Sequence, residues 1–229
     1  DGSGDSDGSG DSDGSGDSYG SGDSDYESDY SSIDESIKAY IYNFPCQIIC
    51  LEKLDKTLDD CVENDELELS KKEWTSCLFQ IIMILITYQK AFSFTHNDLH
   101  TNNIMFNYTE KKYLNYCYNG KYWRVPTYGK LYKIIDYGRS IYTFKGEEMI
   151  SDCFFKTGDA AGQYNFSIFK NKSKPELKPN FGFDLCRLAC SLFDYFIQDI
   201  NNKNTNPIAE LINEWVKDDD GKNLLYKSN

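Results

Sequence analysis

The patterning of this chain predicts an α+β fold, mainly helical with a few short strands. Three observations carry that prediction. Apolar residues recur at helical spacing over residues 70–92 and again over 183–197. Short β-rich runs stand at 104–107 and 131–135. Between them, Asn119-Gly120 interrupts a tyrosine-rich stretch as a hairpin turn.

In chain order, residues 1–30 repeat Gly-Ser-Gly-Asp-Ser with a period of six, drifting into Asp25-Tyr-Glu-Ser-Asp-Tyr30. A segment with so little apolar surface cannot offset its ordering entropy, so residues 1–32 are expected to be a disordered acidic arm and 33–229 the folded domain. The arm's glycines run Gly-x-Gly-x-x-x-Gly among acids and without flanking strands, which does not suit a phosphate loop. Ile37–Tyr42 and Gln47–Leu51 read as two strands around Asn43-Phe-Pro45, and Thr57–Val62 as a short helix. Ser70-Lys-Lys-Glu73 is a capping box, followed by Trp74, Cys77, Leu78, Ile81, Ile82 and Leu85 on one face of a helix reaching about Phe92. Ile104–Asn107 and Leu131–Ile135 are strands; residues 139–182 read as a long loop. Phe183–Ile197 is a buried helix, and Pro207–Val216 is an amphipathic one with Pro in its first turn.

Composition narrows the classes. The net charge is −13, yet residues 1–36 hold twelve acids and no base, leaving about −1 for the rest. No basic face points to nucleic acid, and the arm would repel it. Eight cysteines without a Cys-x-x-Cys pair, in largely apolar segments, fit reduced thiols and a reducing compartment, cytoplasmic or nuclear. The apolar run Leu78–Ile86 is interrupted by Gln80 and reads as a buried helix too short to span a bilayer. The sequence opens on Asp1 rather than Met, which points to a piece of a longer chain or a processed product.

The chemistry gathers in Phe94-Thr95-His96-Asn97-Asp98-Leu99-His100-Thr101-Asn102-Asn103, whose core is His-x-Asp-Leu-x-x-x-Asn. In a phosphoryl-transfer loop, a carboxylate takes a hydroxyl proton, and a carboxamide five positions on turns back to hold a metal on the phosphates. A second acid, Asp136 of Asp-Tyr-Gly, follows the strand at 131–135.

With these motifs the chain resembles the eukaryotic-type protein kinase fold, specifically a C-terminal lobe that is mainly helical with hinge strands. The likeness covers roughly residues 37–216, leaving the N-terminal lobe largely absent. Leu51-Glu52-Lys53-Leu54 is similar to the hinge, and Phe183-Asp184-Leu185 to the buried helix that anchors the catalytic loop. The resemblance implies ATP and Mg²⁺, with a protein Ser or Thr hydroxyl as acceptor. It makes Asp98 the base, His100 a phosphate-facing residue, and Asn103 and Asp136 the Mg²⁺ ligands. Backbone groups of Glu52 and Leu54 would meet adenine, Leu51 would line its pocket, and Asp184 would accept backbone hydrogen bonds near His96.

The departures from the pattern carry their own expectations. Asn97 replaces the usual Arg, so no dependence on a phosphorylated activation loop is expected. His100 replaces the usual Lys; haspin-type kinases share Asp-Leu-His and Asp-Tyr. The segment 108–130 resembles an insertion in kinases of large DNA viruses. The nearest match to Ala-Pro-Glu is Lys174-Pro175-Glu176. Lys38 is too close to Glu52 to be the strand lysine of an N-terminal lobe, and reads as an exposed strand residue.

Three rival readings stand beside the protein kinase. Small-molecule phosphotransferases of the aminoglycoside and choline type share the loop, but Asp184 lies 48 positions after Asp136, a length suited to a protein-kinase activation segment. A catalytically dead binding module is the second alternative. The third is a zinc hydrolase on His96 and His100, which lacks the Glu that such a site needs.

Overall fold

The computed structural model describes residues 39–165, 173, 175, 178–197 and 206–226. The acidic repeat, Lys38, Lys174 and Glu176 lie outside the described residues. The chain divides between Ile49 and Cys50 into two units. In the first, residues 39–49 form neither helix nor strand, and Tyr40, Ile41, Tyr42, Phe44, Ile48 and Ile49 are exposed. The strands expected at 37–42 and 47–51 are therefore not formed over their described residues. A β-prone apolar run makes a strand only when a neighbouring backbone completes the ladder. Among the described residues of this unit, a turn falls at Tyr42–Asn43, with Asn43 at φ 57°, and Cys46 Sγ donates to Phe44 O at 3.5 Å.

The second unit is mixed α/β. It comprises β1 (Lys56–Thr57), α1 (Asp60–Glu63), α2 (Lys71–Phe92), β2 (Ile104–Tyr108), β3 (Tyr113–Tyr118) and β4 (Lys121–Pro126). These are followed by β5 (Lys130–Ile134), β6 (Ile141–Phe144), β7 (Glu147–Ile150), α3 (Phe183–Phe196) and α4 (Pro207–Trp215). The helix expected over 57–62 is displaced. Thr57 is taken by β1, and its N–H and hydroxyl bond Asp60 Oδ2 at 2.7 and 2.9 Å, so helical structure starts only at Asp60.

Helix α2 forms where its capping box places it. Ser70 Oγ accepts the Glu73 N–H at 3.4 Å, while Glu73 Oε2 accepts the Ser70 N–H at 3.0 Å. Its inner face buries Trp74, Cys77, Leu78, Ile81 and Leu85, each large side chain contributing about 1.5–3 kcal/mol of hydrophobic stabilisation. The helix runs 22 residues, longer than the apolar run suggests, and is long and apolar enough to cross a membrane by length and composition. Its polar residues are nevertheless built into the fold. Ser76 Oγ donates to Pro126 O at 2.6 Å, and Gln80 bonds Lys130 O at 3.3 Å and Tyr132 N at 3.2 Å.

The central sheet has the order β1-β2-β5, antiparallel, with Ile104 opposite Ile134. Between β2 and β5 the chain makes the β3–β4 hairpin, turning at Asn119 (φ 50°) and Gly120 (φ 74°). Tyr116 and Trp123 of that hairpin lie against Phe79 of α2, with ring centroids 5.7 and 6.0 Å apart. The stretch 139–182, expected to be a loop, contains a second hairpin, β6–β7. Lys145 (φ 53°) and Gly146 (φ 84°) supply the left-handed pair that a tight hairpin needs. Helices α3 and α4 close the core through Leu188, Leu192, Phe193, Ile208 and Ile212, and Trp74 meets Tyr195 and Phe196 at 5.5 and 5.0 Å.

Candidate active site

The site is built on the connection from α2 to β2. Ser93 ends the helix in a left-handed conformation (φ 49°), turning Phe94 into the core. Thr95 then exchanges backbone hydrogen bonds with Ile141, both 2.9 Å, which ties the loop to the first residue of β6.

His96 is fully buried. Its Nδ1 faces the Asp98 N–H at 3.3 Å and its Nε2 faces Ile135 O at 2.8 Å. A backbone N–H only donates and a carbonyl only accepts, so the ring proton sits on Nε2. The ring of Tyr137 packs over His96 and Phe94 at 5.7 and 5.9 Å, and the Tyr137 hydroxyl donates to Ile134 O at 2.8 Å. Loop and Asp-Tyr-Gly motif are thus joined through one imidazole and one aromatic ring.

Asn97, buried with φ 66°, spends every polar group on the fold. Its Nδ2 donates to Arg139 O at 2.9 Å, its Oδ1 accepts the Tyr164 hydroxyl at 2.6 Å, and its carbonyl accepts Gln163 Nε2 at 3.3 Å. Burial, and next the Asp184 charge, push the Tyr164 hydroxyl up to about 12, so it stays protonated and donating. Asp184, fully buried near the start of α3, accepts the N–H of His96 at 2.8 Å and of Asn97 at 2.9 Å. Burial raises its pKa, against the pull of those two donors.

The Asp98 carboxylate is partly exposed and accepts no hydrogen bond from the described residues. Arg139 and Arg187 approach it at 3.5 and 3.6 Å, and His100 at 4.0 Å. Asn103 turns back onto the loop. Its Nδ2 meets Asp98 O at 2.9 Å and His100 Nε2 at 3.1 Å, which leaves its Oδ1 as the atom available to a cation. The Asn103 carbonyl accepts the Ile135 N–H at 3.0 Å, so Asp136, one residue on, follows β5 at the same end of the sheet. Asp136 is exposed in a left-handed conformation (φ 59°), and its Oδ1 accepts the Gly138 N–H at 3.3 Å. A Cβ at Gly138 would press to 3.3 Å from that oxygen, so glycine keeps the carboxylate uncrowded.

Among the described residues no group of three or more His, Cys, Asp or Glu side chains gathers around a common point. One carboxylate and one carboxamide oxygen still suit Mg²⁺, a hard cation that keeps waters and binds few protein ligands when phosphates complete its shell. The hinge-like residues are less engaged. Leu51 is exposed, Leu54 half-buried, and the Glu52 side chain pairs with Lys133 and accepts from Asn107 Nδ2. Two apolar hollows of about 410 and 470 Å³ share Tyr88 and Tyr137 as walls, and neither is lined by Leu51, Glu52 or Leu54. Sequence reasoning assigned no role to Arg139, Asp159, Tyr164 or Arg187. Arg187 alone left a signal, at the helical spacing of three after Asp184.

This arrangement is related to serine/threonine protein kinases over part of the chain. The serine/threonine-protein kinase haspin of Mus musculus is 36% identical over 101 residues, which are 42% of this chain and 13% of haspin. Haspin of Bos taurus is 35% identical over 101 residues, 42% of this chain and 12% of its own. A protein of Acanthamoeba polyphaga mimivirus that bears the name "Putative serine/threonine-protein kinase" is 26% identical over 154 residues, 63% of this chain and 36% of the viral one. The matched stretch is thus well under half of each relative. No protein-family model matches the chain.

Proposed function

We propose that this chain carries the catalytic-loop and metal-binding half of an ATP-dependent serine/threonine protein kinase, its C-terminal lobe with haspin-like features. The observation that carries the reading is the joint anchoring of two motifs. His96 binds Ile135 O, Tyr137 covers His96, and Asn103 O holds the Ile135 N–H, so Asp98, Asn103 and Asp136 are presented from one locked frame. The partial likeness to named protein kinases supports it.

Asp98 takes the proton of a Ser or Thr hydroxyl as that oxygen bonds to the γ-phosphorus of ATP. The bond from phosphorus to the β–γ bridging oxygen breaks, ADP leaves, and the proton passes from Asp98 to solvent. Asn103 Oδ1 and the Asp136 carboxylate would hold Mg²⁺, which when bound neutralises phosphate charge. His100 lies beside Asp98, facing the phosphates, and backbone groups of Glu52 and Leu54, with Leu51 behind, receive the adenine edge. Asn97 replaces a phosphate-dependent arginine contact with fixed hydrogen bonds to Tyr164 and Gln163, in keeping with a kinase that needs no activating phosphorylation. Cysteines that stay unpaired suit a reducing compartment, the cytoplasm or nucleus, of a host cell if the protein is viral.

The test is Mg·ATP binding and γ-phosphoryl transfer to a Ser/Thr peptide library by the complete native protein. Metal-dependent nucleotide binding with transfer abolished by Asp98→Asn supports the reading. Binding without transfer identifies a catalytically inactive module, and transfer to small hydroxylated amines alone identifies the small-molecule class.

A further inference from the structure

One turn of α3 handles three consecutive residues of the loop. The Asp184 carboxylate takes the N–H of His96 and Asn97, and Arg187, three positions later on the same helix, reaches the side chain of Asp98 at 3.6 Å. Asp98 therefore has its backbone approach set by one residue of the turn and its carboxylate faced by the other.

His100, in place of the usual lysine, lies 4.0 Å from the Asp98 carboxylate. Asn103 Nδ2 donates to Asp98 O at 2.9 Å and lies 3.1 Å from His100 Nε2. Two guanidinium groups on other elements bring cationic charge to Asp98. Arg139 is shared, since its second nitrogen binds Asp159 at 2.8 Å. Asp98 is the ion-pair partner of Arg187 among the described residues.

The distances 3.5 and 3.6 Å fit electrostatic guidance and are too long for strong hydrogen bonds. Both carboxylate oxygens are held in direction while their lone pairs stay open to an incoming hydroxyl. We infer that Arg187 is a positioning residue for Asp98, bringing positive charge to its carboxylate from α3. The inference rests on Asp98 being the base of the proposed reaction.

The test compares Arg187→Met and Arg187→Lys in the complete native protein, reading kcat, KM for ATP and for the peptide acceptor, and melting temperature. Arg187→Met is expected to lower kcat roughly 10- to 100-fold, as misplacement of a reacting group by about an ångström does. The KM for ATP stays within about twofold of wild type, and Arg187→Lys recovers most of the lost kcat. An active wild type with an unaffected Arg187→Met variant overturns the inference and leaves the kinase reading standing. A loss of kcat that Arg187→Lys does not recover, matched by a fall in melting temperature, assigns Arg187 to folding and also overturns it. A wild type that transfers no phosphoryl group sinks both.

Discussion

The carboxylate of Asp184 accepts the backbone N–H of His96 at 2.8 Å, across 88 positions of sequence. Its other oxygen takes the N–H of Asn97, so one buried side chain satisfies two donors that no strand or helix supplies with partners. The loop's conformation hangs on this contact.

Replacing Asp184 with Ala should therefore destabilise the second unit by roughly 2–5 kcal/mol, because two buried N–H groups lose their acceptor. Asp184→Asn should cost less than Ala but more than nothing, since its amide nitrogen cannot accept. Urea denaturation of the three proteins gives the ordering.

Asn97→Ala should loosen the segment that it ties down, at about 1–3 kcal/mol for the polar partners left behind. The expected signature is faster hydrogen exchange in residues 137–140 and 159–165, with α2 unaffected. Restoring the arginine of related loops, Asn97→Arg, should be worse than Ala, because the site is buried and the backbone is left-handed there (φ 66°).

On the proposed reaction, Asp98→Asn should abolish turnover of the complete native protein while Mg·ATP affinity stays within about threefold, because the change would remove the proton acceptor and keep the side chain's shape. Asp136→Ala should do the reverse at the binding step. Nucleotide affinity should fall in the presence of Mg²⁺ and change little without it, as titration calorimetry with and without the metal would register.

Acidification should act on the start of α2. Burial works against the Glu73 charge, but hydrogen bonds from Lys130 and Ser70 prevail and hold its pKa below the ordinary 4.5. A depressed carboxylate pKa stabilises the fold above the unfolded value, and that stabilisation disappears as pH falls through the folded value. Melting temperature should thus drop between about pH 5 and pH 3, and Glu73→Gln should flatten part of that drop while lowering stability at pH 7. Ser70→Ala should cost about 1 kcal/mol at any pH above that window.

Helix α2 was legible because its signals are local. The capping box needs residues four apart at most, and the apolar face repeats along a single stretch. The β3–β4 hairpin was legible for the same reason, through Asn119-Gly120. The β6–β7 hairpin escaped because Lys145-Gly146 is a weaker turn signal and its strands carry exposed tyrosine, phenylalanine and glutamate. The strands expected before Leu51 failed for the opposite reason: β-prone apolar runs were present, and among the described residues no backbone pairs with them.

The sequence by itself determined the His-x-Asp-Leu-x-x-x-Asn spacing of Asp98 and Asn103, since a short motif is written in a fixed count of residues, and it placed Asp136 at the end of a strand. Only the tertiary structure decided that Asn97 is consumed by Tyr164, Gln163 and Arg139, and that the charge around Asp98 comes from Arg139 and Arg187. Ion pairs and buried hydrogen bonds between residues tens of positions apart have no period to read. They exist only once the hydrophobic core has brought α3 and the β6 segment onto the loop.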